Sequence, residues 1–305
     1  PCGTLFPYTT LFRSGLDEIL EGGLPVGRLT LVAGGPGTGK TVLASEFLYR
    51  GACDEHPGLL VSFEERTEDI RANARAMGWD LETLESEGKL RILYAELPQG
   101  TRRSGEFTLD GLLAMLDGYS RSLGVQRIVL DAIDVLLRFF QDPEKEQEQF
   151  EILHKWLQEK EAAVILTAKI SNEKQPVYQL LEYMADCVLQ LDQRVDQQVS
   201  TRRLRVIKFR GSGFLSNEHP YLITRDGSVF LPVSSIDLDF PASEEPVGTG
   251  HPILDEILGG GYRRGACILL AGETGTGKST LACMYAKFTC AAGEKVLYVN
   301  LEESR

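Results

Sequence analysis

Short apolar runs alternate with helical segments along the first two hundred residues. The apolar runs predict strands at Arg28–Gly34, Gly58–Glu65, Leu90–Ala95, Arg127–Ala132 and Ala162–Ala168. Apolar residues spaced three and four apart predict intervening helices at Thr41–Gly51, Glu68–Met77, Thr108–Gly124 and Glu144–Glu161. Strands that are apolar on both faces and alternate with helices are typical of a mostly parallel sheet covered on both sides. The pattern therefore predicts an α/β fold.

The pattern changes after Ala185. The segments CVLQLD, RRLRVIKFRG and YLITRDGSVFLP follow one another with short connections, and Asp226-Gly227 is a hairpin-turn signal. We expect these segments to form an antiparallel extension of the sheet. The following stretch, Phe240–Gly250, is rich in Pro, Glu and Gly and predicts a linker.

The chain contains an internal repeat. LDEILEGGLPVGRLTLVAGGPGTGKT, which starts at Leu16, recurs as LDEILGGGYRRGACILLAGETGTGKS, which starts at Leu254, and Lys40 and Lys278 occupy equivalent positions. The likeness continues without a gap to the paired glutamates of SFEE and NLEE. A repeat of this kind indicates two copies of one domain. We expect a first domain at 15–238, a linker at 239–247 and the beginning of a second copy at 248–305.

Residues 1–14 do not share in the repeat. Thr4–Ser14 has neither helical nor strand periodicity, and its letters read as the translation of a common sequencing-library adapter. We therefore expect residues 1–14 to be non-native, and they take no part in the fold argument.

Composition narrows the class of protein. The 305 residues carry a net charge of −12, with 43% hydrophobic and 25% charged residues, which is ordinary for a globular protein. A strongly acidic balance argues against a nonspecific nucleic-acid binder. No apolar run reaches the ~18 residues of a membrane span. Six scattered cysteines without a CxxC motif fit a reducing compartment. We expect a cytoplasmic protein.

Two glycine-rich loops carry the strongest chemical signal. GGPGTGKT and GETGTGKS both satisfy G-x-x-x-x-G-K-[ST], and each follows an apolar run and opens a helix. In such loops backbone N–H groups surround a polyphosphate, the lysine reaches the β- and γ-phosphates, and the hydroxyl binds Mg²⁺. The predicted nucleotide-binding residues are Gly35, Pro36, Gly37, Thr38, Gly39, Lys40, Thr41, Gly275, Thr276, Gly277, Lys278 and Ser279.

Carboxylates at strand ends complete a predicted hydrolytic site. Asp131 ends the apolar run RIVLD, where a strand can deliver a carboxylate to the metal's water shell, so Thr41, Ser279 and Asp131 are the predicted metal residues. Asp134 is the rival, and an N-cap role for Asp131 is the structural alternative. Glu64 and Glu65 end the second strand, where one carboxylate can polarise the attacking water. A solvated strand end is the alternative.

The segment RRLRVIKFRG carries five cations between Arg202 and Arg210. On a strand Lys208 and Arg210 share a face, because side chains alternate with period two. A cation pair of this kind can reach the γ-phosphate held by a neighbouring subunit. A charged edge strand that discourages aggregation is the alternative.

Four features together resemble the KaiC-type ATPases of the RecA-like P-loop superfamily. They are L-D-E-I-L-x-G-G before the loop, G-x-T-G-K-[ST], the paired glutamates, and IKFRGSGF followed by HPYLITRDGSVFLP. The resemblance covers Gly15 to Arg305. It implies a RecA-like fold, ATP and Mg²⁺ bound at the subunit interfaces of a ring hexamer, and regulatory protein partners.

The resemblance also implies roles for individual residues. Glu64 and Glu65 would be the catalytic carboxylates, Asp131 the Walker B residue, and Lys208 and Arg210 the cations acting on a neighbour's nucleotide. The family's autokinase activity resides in the second domain, of which only the beginning is present here. We therefore do not expect kinase activity from this chain.

Two other functions use the same core. A recombinase- or helicase-like ATPase would grip single-stranded DNA with basic, aromatic loops, but Phe139–Glu151 and Lys169–Gln179 are mixed or acidic in charge. A nucleotide-dependent scaffold that hydrolyses ATP slowly would differ from an ATPase only in rate. Mg²⁺-dependent ATP hydrolysis is the leading expectation.

Overall fold

The computed structural model describes residues 8–9, 15–97, 109–140, 142–169, 176–196, 198–233 and 243–300. The chain divides into two compact units, Pro1–Ser235 and Ile236–Arg305. Each unit is described by itself below. The predicted boundary between 238 and 239 stays a prediction.

The first unit consists of alternating strands and helices in the order that the sequence pattern indicates. Its strands are β1 Tyr8–Thr9, β2 Leu24–Pro25, β3 Leu29–Gly34, β4 Gly58–Ser62, β5 Leu90–Tyr94, β6 Arg127–Asp131, β7 Ala163–Lys169, β8 Cys187–Asp196, β9 Val199–Phe209, β10 Glu218–Thr224 and β11 Gly227–Phe230. Its helices are α1 Leu16–Ile19, α2 Lys40–Cys53, α3 Thr67–Ala76, α4 Leu81–Ser86, α5 Leu109–Leu123, α6 Ile133–Arg138, α7 Pro143–Gln158 and α8 Pro176–Met184.

Nine of these strands form one sheet, in the order β11-β10-β9-β8-β3-β7-β6-β4-β5. The six strands from β8 to β5 are parallel to their neighbours. Strands β9, β10 and β11 continue the sheet antiparallel. This architecture confirms the expected α/β fold with a mostly parallel sheet and an antiparallel extension.

Helices cover both faces of the sheet and produce two hydrophobic layers. Alternate residues of a strand belong to opposite layers, as in β3, where Leu31 packs with α6, α7 and α8 while Val32 packs with α1 and α2. All six residues of β3 are buried. This double burial explains why the central strands are apolar throughout rather than alternating.

The observed elements differ from the predicted ones in a few places. The helices α6 and α8 were not predicted, because each is short and follows directly on a strand or loop without a clear start signal. The β10–β11 turn lies one residue earlier than predicted, since Thr224 pairs with Gly227. Thr108, the first residue of the predicted helix Thr108–Gly124, lies outside the described residues.

Little of the N-terminal segment falls within the described residues. Backbone pairing is present at Tyr8 and Thr9, which lie antiparallel to Leu24 and Pro25. The sequence showed no strand period there, so this two-residue pairing is a difference from expectation. The non-native origin proposed for residues 1–14 stays a prediction.

The second unit has helices but no hydrophobic core among its described residues, 243–300. It contains the strand pair β12 Pro246–Val247 and β13 Tyr262–Arg263, the helix α9 Pro252–Ile257 and the helix α10 Lys278–Ala291. The predicted strand before the second glycine loop is not formed, and Leu269 is 86% exposed there. A strand of this kind needs neighbours on both sides, and residues 243–300 do not supply them.

A buried arginine links α2 to the amino end of β6. The Arg127 side chain is 1% exposed, its Nη1 donates to the Phe47 carbonyl over 2.9 Å, and its Cζ lies 5.2 Å from the Phe47 ring centroid. Burial lowers the pKa of Arg127 to about 10, although Asp54 opposes this shift. Gly51 makes room for the guanidinium, because a Cβ at this position would lie 1.9 Å from Nη1.

Replacing Gly51 with alanine should therefore destabilise the first unit. The added methyl must displace a buried, hydrogen-bonded guanidinium, and such overpacking costs about 1–3 kcal/mol. Gly118→Ala is the matched control, since Gly118 is also helical and a Cβ there would meet nothing within 4 Å. This control should be neutral or stabilising by up to about 1 kcal/mol. Urea denaturation followed by circular dichroism measures both, and equal midpoints for the two variants would contradict the packing argument.

Candidate active site

The loop between β3 and α2 lies at the carboxyl edge of the parallel sheet. Its backbone is held by its own side chains. The Thr38 hydroxyl donates to the Gly35 carbonyl over 2.9 Å. The Lys40 ammonium donates to the carbonyls of Gly34 and Gly35 over 3.0 and 2.9 Å. The loop therefore has a fixed curve, with the lysine folded back across its mouth.

The antiparallel extension supports the same loop from the other side. The buried Tyr221 hydroxyl donates to the Thr38 carbonyl over 2.5 Å. Gly39 has φ of +88°, and a Cβ there would lie 2.4 Å from the Ile223 side chain, so only glycine satisfies both constraints. Arg202 Nε lies 3.4 Å from the Gly37 carbonyl. Strands β9 and β10 thus hold the outer turn of the loop.

A buried glutamate fixes the extension to α2. Glu46 is fully buried on the helix that the loop opens. Its carboxylate accepts hydrogen bonds from the Ser228 backbone N–H over 2.8 Å and from Arg50 Nε over 2.7 Å. The beginning of β11 is therefore tied to the helix, and the loop is bordered by β3, α2 and the extension, with Pro36 and Gly37 exposed.

Three side chains meet where β6 and β7 end beside α2. The Thr41 hydroxyl lies 3.3 and 3.2 Å from the two Asp131 carboxylate oxygens. The Thr167 hydroxyl donates to Asp131 Oδ1 over 2.5 Å and accepts the Ala132 N–H over 2.7 Å. Hydroxyl and carboxylate oxygens are the ligands that Mg²⁺ prefers. The donor set of Thr41 and Asp131 therefore fits a Mg²⁺ ion that is also bound by phosphate.

Burial governs the electrostatics of this cluster. Asp131 is 3% exposed, and burial raises its pKa, against the hydrogen bonds from Thr167 and Thr41. Burial also lowers the pKa of Lys40, and the charge of Asp131 opposes that shift. The buried Asp131 carboxylate and the half-buried Lys40 ammonium thus stabilise each other's charge at the mouth of the loop.

The paired glutamates lie at the same edge, just past the end of β4. The Ser62 hydroxyl accepts their backbone N–H groups, over 3.4 Å from Glu64 and 2.9 Å from Glu65. Glu64 is exposed and Glu65 is half-buried. Burial raises the pKa of Glu65, and the charges of Asp131 and Glu64 raise it further. A carboxyl group with a raised pKa is a better proton acceptor than an ordinary surface glutamate.

Asp134, the rival of Asp131, has other partners. It lies in the first turn of α6, where it forms an ion pair with Arg138 and accepts the Lys169 backbone N–H over 3.0 Å. Ala132, with φ of +64°, forms the N-cap of α6. Asp131 is therefore not the cap, and it is the carboxylate that contacts Thr41.

Lys208 and Arg210 lie at the opposite edge of the sheet from the loop. Strand β9 runs antiparallel to β8, so Lys208 pairs with Val188 near the start of β8. Lys208 Nζ donates to the Glu182 and Tyr183 carbonyls over 2.9 and 3.0 Å, and Arg210 Nη2 donates to Tyr183 over 3.1 Å. Burial lowers the pKa of Lys208, and the charge of Arg210 lowers it further. The two cations share a face but do not belong to this chain's own loop.

A sequence profile of the KaiC ATPase family matches residues 13–235 and 247–305. The match covers most of the chain and includes both glycine loops. The chain belongs to the KaiC ATPase family. The nine-stranded sheet is consistent with the RecA-like P-loop fold expected of this family.

Several curated proteins are similar to the chain over nearly its whole length. A protein named circadian clock protein KaiC2 from Synechocystis sp. is 41% identical over 294 residues, which is 95% of this chain and 52% of that protein. Circadian clock oscillator proteins KaiC from Picosynechococcus sp. and Synechococcus elongatus are 36% and 35% identical, over 95% of this chain and 57% of each relative. The chain thus spans about half the length of these relatives.

The second glycine loop repeats part of the local geometry of the first. Lys278 Nζ donates to the Gly272 and Glu273 carbonyls over 2.8 Å each, and the Thr276 hydroxyl donates to Glu273 over 2.8 Å. Ser279 is exposed at the start of α10. The position that would correspond to Asp131 falls beyond Arg305, and Glu302 and Glu303 lie outside the described residues. This loop therefore has its own hydrogen bonds, but among residues 243–300 no strand directly precedes it.

Sequence reasoning missed three side chains at the first loop, namely Thr167, Tyr221 and Arg202. Thr167 ends an apolar strand, and a hydroxyl at a parallel strand's carboxyl end is a weak signal that could have marked it. Tyr221 and Arg202 gave no local signal, because their contact with the loop depends on how the antiparallel extension folds back.

Among the described residues, no helix is long and apolar enough to cross a membrane.

Lys40→Ala should abolish nucleotide binding by the chain, whereas Lys278→Ala should change it little. Lys40 lies in a loop bordered by β3, α2 and the extension, while among residues 243–300 no strand supports the loop of Lys278. Isothermal titration with an ATP analogue measures the affinity of each variant. Equal losses from the two substitutions would show that the second loop also binds nucleotide.

Tyr221→Phe should weaken nucleotide binding without unfolding the protein. It removes a hydroxyl that satisfies a buried carbonyl of the loop, and leaving such a group unpaired costs about 1–3 kcal/mol. We expect an affinity about 5- to 10-fold lower, because part of that cost falls on the loop. Tyr119→Phe on α5 is the control, and an unchanged affinity for Tyr221→Phe would refute the supporting role.

Proposed function

We propose that the first unit binds ATP with Mg²⁺ and hydrolyses it at the interfaces of a ring made of copies of this chain, most simply a hexamer. The loop Gly35–Thr41 holds the phosphates, Glu64 and Glu65 activate water, and Lys208 and Arg210 act on the nucleotide of the neighbouring copy. Membership of the KaiC ATPase family supports ATP as the substrate.

The observation that carries the interface mechanism is the placement of the two cations. Strand β3 spans roughly 17 Å at about 3.3 Å per residue, with the loop at its carboxyl end. Arg210 lies level with its amino end, next to Asp186, whose backbone N–H donates to the Leu29 carbonyl over 2.9 Å. Lys208 pairs with Val188, which pairs with Leu31 in the first half of β3. At this distance Lys208 and Arg210 do not reach the glycine loop of their own chain. In a ring they would lie against the glycine loop of the neighbouring copy.

The chain's own groups supply most of the chemistry. Backbone N–H groups of the loop and the N-terminus of α2 face a polyphosphate, and Lys40 exchanges its two carbonyl acceptors for charged phosphate oxygens. Glu65, with its raised pKa, accepts a proton from the attacking water. The Glu64 carboxylate attracts the hydrogens of that water and so orients it. Lys208 and Arg210 of the neighbour stabilise charge that develops on the transferred phosphoryl group.

Thr41 and Asp131 would hold the Mg²⁺ ion. Their oxygens lie 3.2–3.3 Å apart at the base of the loop, and Thr167 orients the carboxylate. When bound, the ion neutralises phosphate charge and fixes the orientation of the β- and γ-phosphates.

The wider role that we propose is regulatory. The relatives are named as circadian clock proteins, and a ring whose state follows its nucleotide suits a clock-type or other signalling regulator that docks partner proteins. We do not propose kinase activity for this chain. No described feature favours single-stranded DNA binding, although positions 141 and 170–175 of the candidate DNA-binding segments lie outside the described residues.

Arg210→Ala should lower ATP turnover by about 10³-fold while nucleotide affinity stays unchanged. The reason is that Arg210 is proposed to act as an arginine finger, a guanidinium that stabilises the neighbour's phosphoryl group only in the transition state. Arg205→Ala is the matched control, since Arg205 is an exposed arginine on the same strand. Phosphate release and titration measure the two quantities, and light scattering should give a six-fold mass only with ATP and Mg²⁺.

Two results would contradict this function. A monomer that hydrolyses ATP at the full rate would remove the role of the interface. A ring that assembles but hydrolyses slowly, with or without Arg210, would instead favour a nucleotide-dependent scaffold.

A further inference from the structure

Asp186 lies in the short connection between α8 and β8, directly beside the cation pair. Its backbone joins two strands, because its N–H donates to the Leu29 carbonyl over 2.9 Å and its carbonyl accepts the Arg210 N–H over 2.8 Å. Its Oδ2 also accepts the Leu29 N–H over 3.4 Å. Asp186 is therefore fixed to the start of β3 independently of the cations.

The carboxylate of Asp186 faces two guanidinium groups. Its Oδ1 lies 3.6 Å from Arg28 Nη1 and 3.8 Å from Arg210 Nη1. Arg28 Nη1 in turn donates to the Arg210 carbonyl over 3.2 Å. The end of β9 is thus held by two backbone contacts, and the Asp186 carboxylate lies within ion-pair distance of the Arg210 guanidinium.

The remaining contacts of the pair come from the C-terminus of α8. The Tyr183 carbonyl accepts hydrogen bonds from both Lys208 and Arg210, and the Glu182 carbonyl accepts one more from Lys208. Carbonyls at a helix C-terminus carry partial negative charge and attract cations. Two cations on one carbonyl also repel each other, and Asp186 supplies the only full negative charge in direct contact with Arg210 among the described residues.

We propose that Asp186 is the positioning residue for the Arg210 finger, an inference that rests on the interface function proposed above. The distance of 3.8 Å is longer than a hydrogen bond, so Asp186 orients the guanidinium without capturing it. A bidentate ion pair would have to break before Arg210 could reach a phosphate.

A preoriented finger lowers the barrier in a specific way. A free arginine loses side-chain entropy when it is fixed, and small misplacements of catalytic groups cost up to about 100-fold in rate. By orienting Arg210, Asp186 reduces both the entropy loss and the misplacement at the nucleotide of the neighbouring copy. Asp186 does not contact the glycine loop of its own chain. Loss of its charge should therefore affect turnover but leave nucleotide affinity unchanged.

The test is Asp186→Asn in the full chain, which keeps the side-chain shape and the acceptor for Leu29. We expect kcat to fall about 10- to 100-fold, while the affinity for an ATP analogue and the ring mass change less than about twofold. Asp186→Glu should recover part of the rate. Asp117→Asn is the matched control, because Asp117 is also a partly buried aspartate bonded to two cations, Lys160 and Arg121, outside the site. It should keep the full rate.

Mixed rings separate positioning from damage to the protomer's own site. Asp186→Asn subunits keep their own glutamates, and subunits carrying both Glu64→Gln and Glu65→Gln keep their fingers. On mixing, roughly one interface in four combines the intact halves, so activity should reappear. Arg210→Ala mixed with the same glutamate variant provides the reference.

Four outcomes would overturn the inference. Full turnover by Asp186→Asn, or a loss of affinity equal to its loss of rate, would show that Asp186 does not act through the finger. Complementation by Arg210→Ala without complementation by Asp186→Asn would refute the positioning role alone. Failure of both mixtures would refute the interface function, and the positioning role with it.

Discussion

Strand direction is the constraint on which the rest of this structure depends. Because β3, β4, β6 and β7 are parallel, their carboxyl ends gather at one edge, and each delivers a polar group there. The glycine loop, Ser62 with its two glutamates, Asp131 and Thr167 come together although they are far apart in the chain. The reversed direction of β9 has the opposite effect, since it carries Lys208 and Arg210 to the other edge.

This division of the sheet gives β9 contacts at both edges. In its first half Arg202 lies 3.4 Å from the carbonyl of Gly37 in the loop of its own chain. At its end Lys208 and Arg210 are held by α8 and Asp186. One strand therefore connects the chain's own nucleotide loop to the group that we propose acts on the next copy. A shift of the strand along its length would affect both ends together.

The charges of Asp131 and Lys40 at the loop are stabilised by each other and by hydrogen bonds rather than by water. Asp131 and Lys40 are both shifted toward their neutral forms by desolvation, and each one's charge opposes the other's shift. Hydrogen bonds from Thr41 and Thr167 to Asp131, and from Lys40 to two carbonyls, keep both groups satisfied. Both groups are therefore satisfied in this structure. The charged oxygens of a polyphosphate would still be stronger acceptors for Lys40 than the two carbonyls that it now contacts.

The sequence by itself determined the class of fold, the position of the loop and the presence of a repeat. These follow from local patterns, namely apolar strands without alternation, a glycine loop between a strand and a helix, and a recurring motif. They are readable because neighbours in the chain decide them. The predicted roles of Glu64, Glu65, Lys208 and Arg210 rest on the same patterns and on family resemblance, and they stay predictions.

Only the tertiary structure decided which distant residues meet. Tyr221 on the loop, Thr167 on Asp131, Glu46 at the start of β11 and Asp186 beside Arg210 have no local signature, because each contact joins elements that are well separated in the chain. The strand expected before the second loop, which is not formed, is likewise a feature that local sequence did not decide. Its sequence matches that of β3, but a strand forms only where other strands can pair with its backbone, and pairing is a property of the folded sheet.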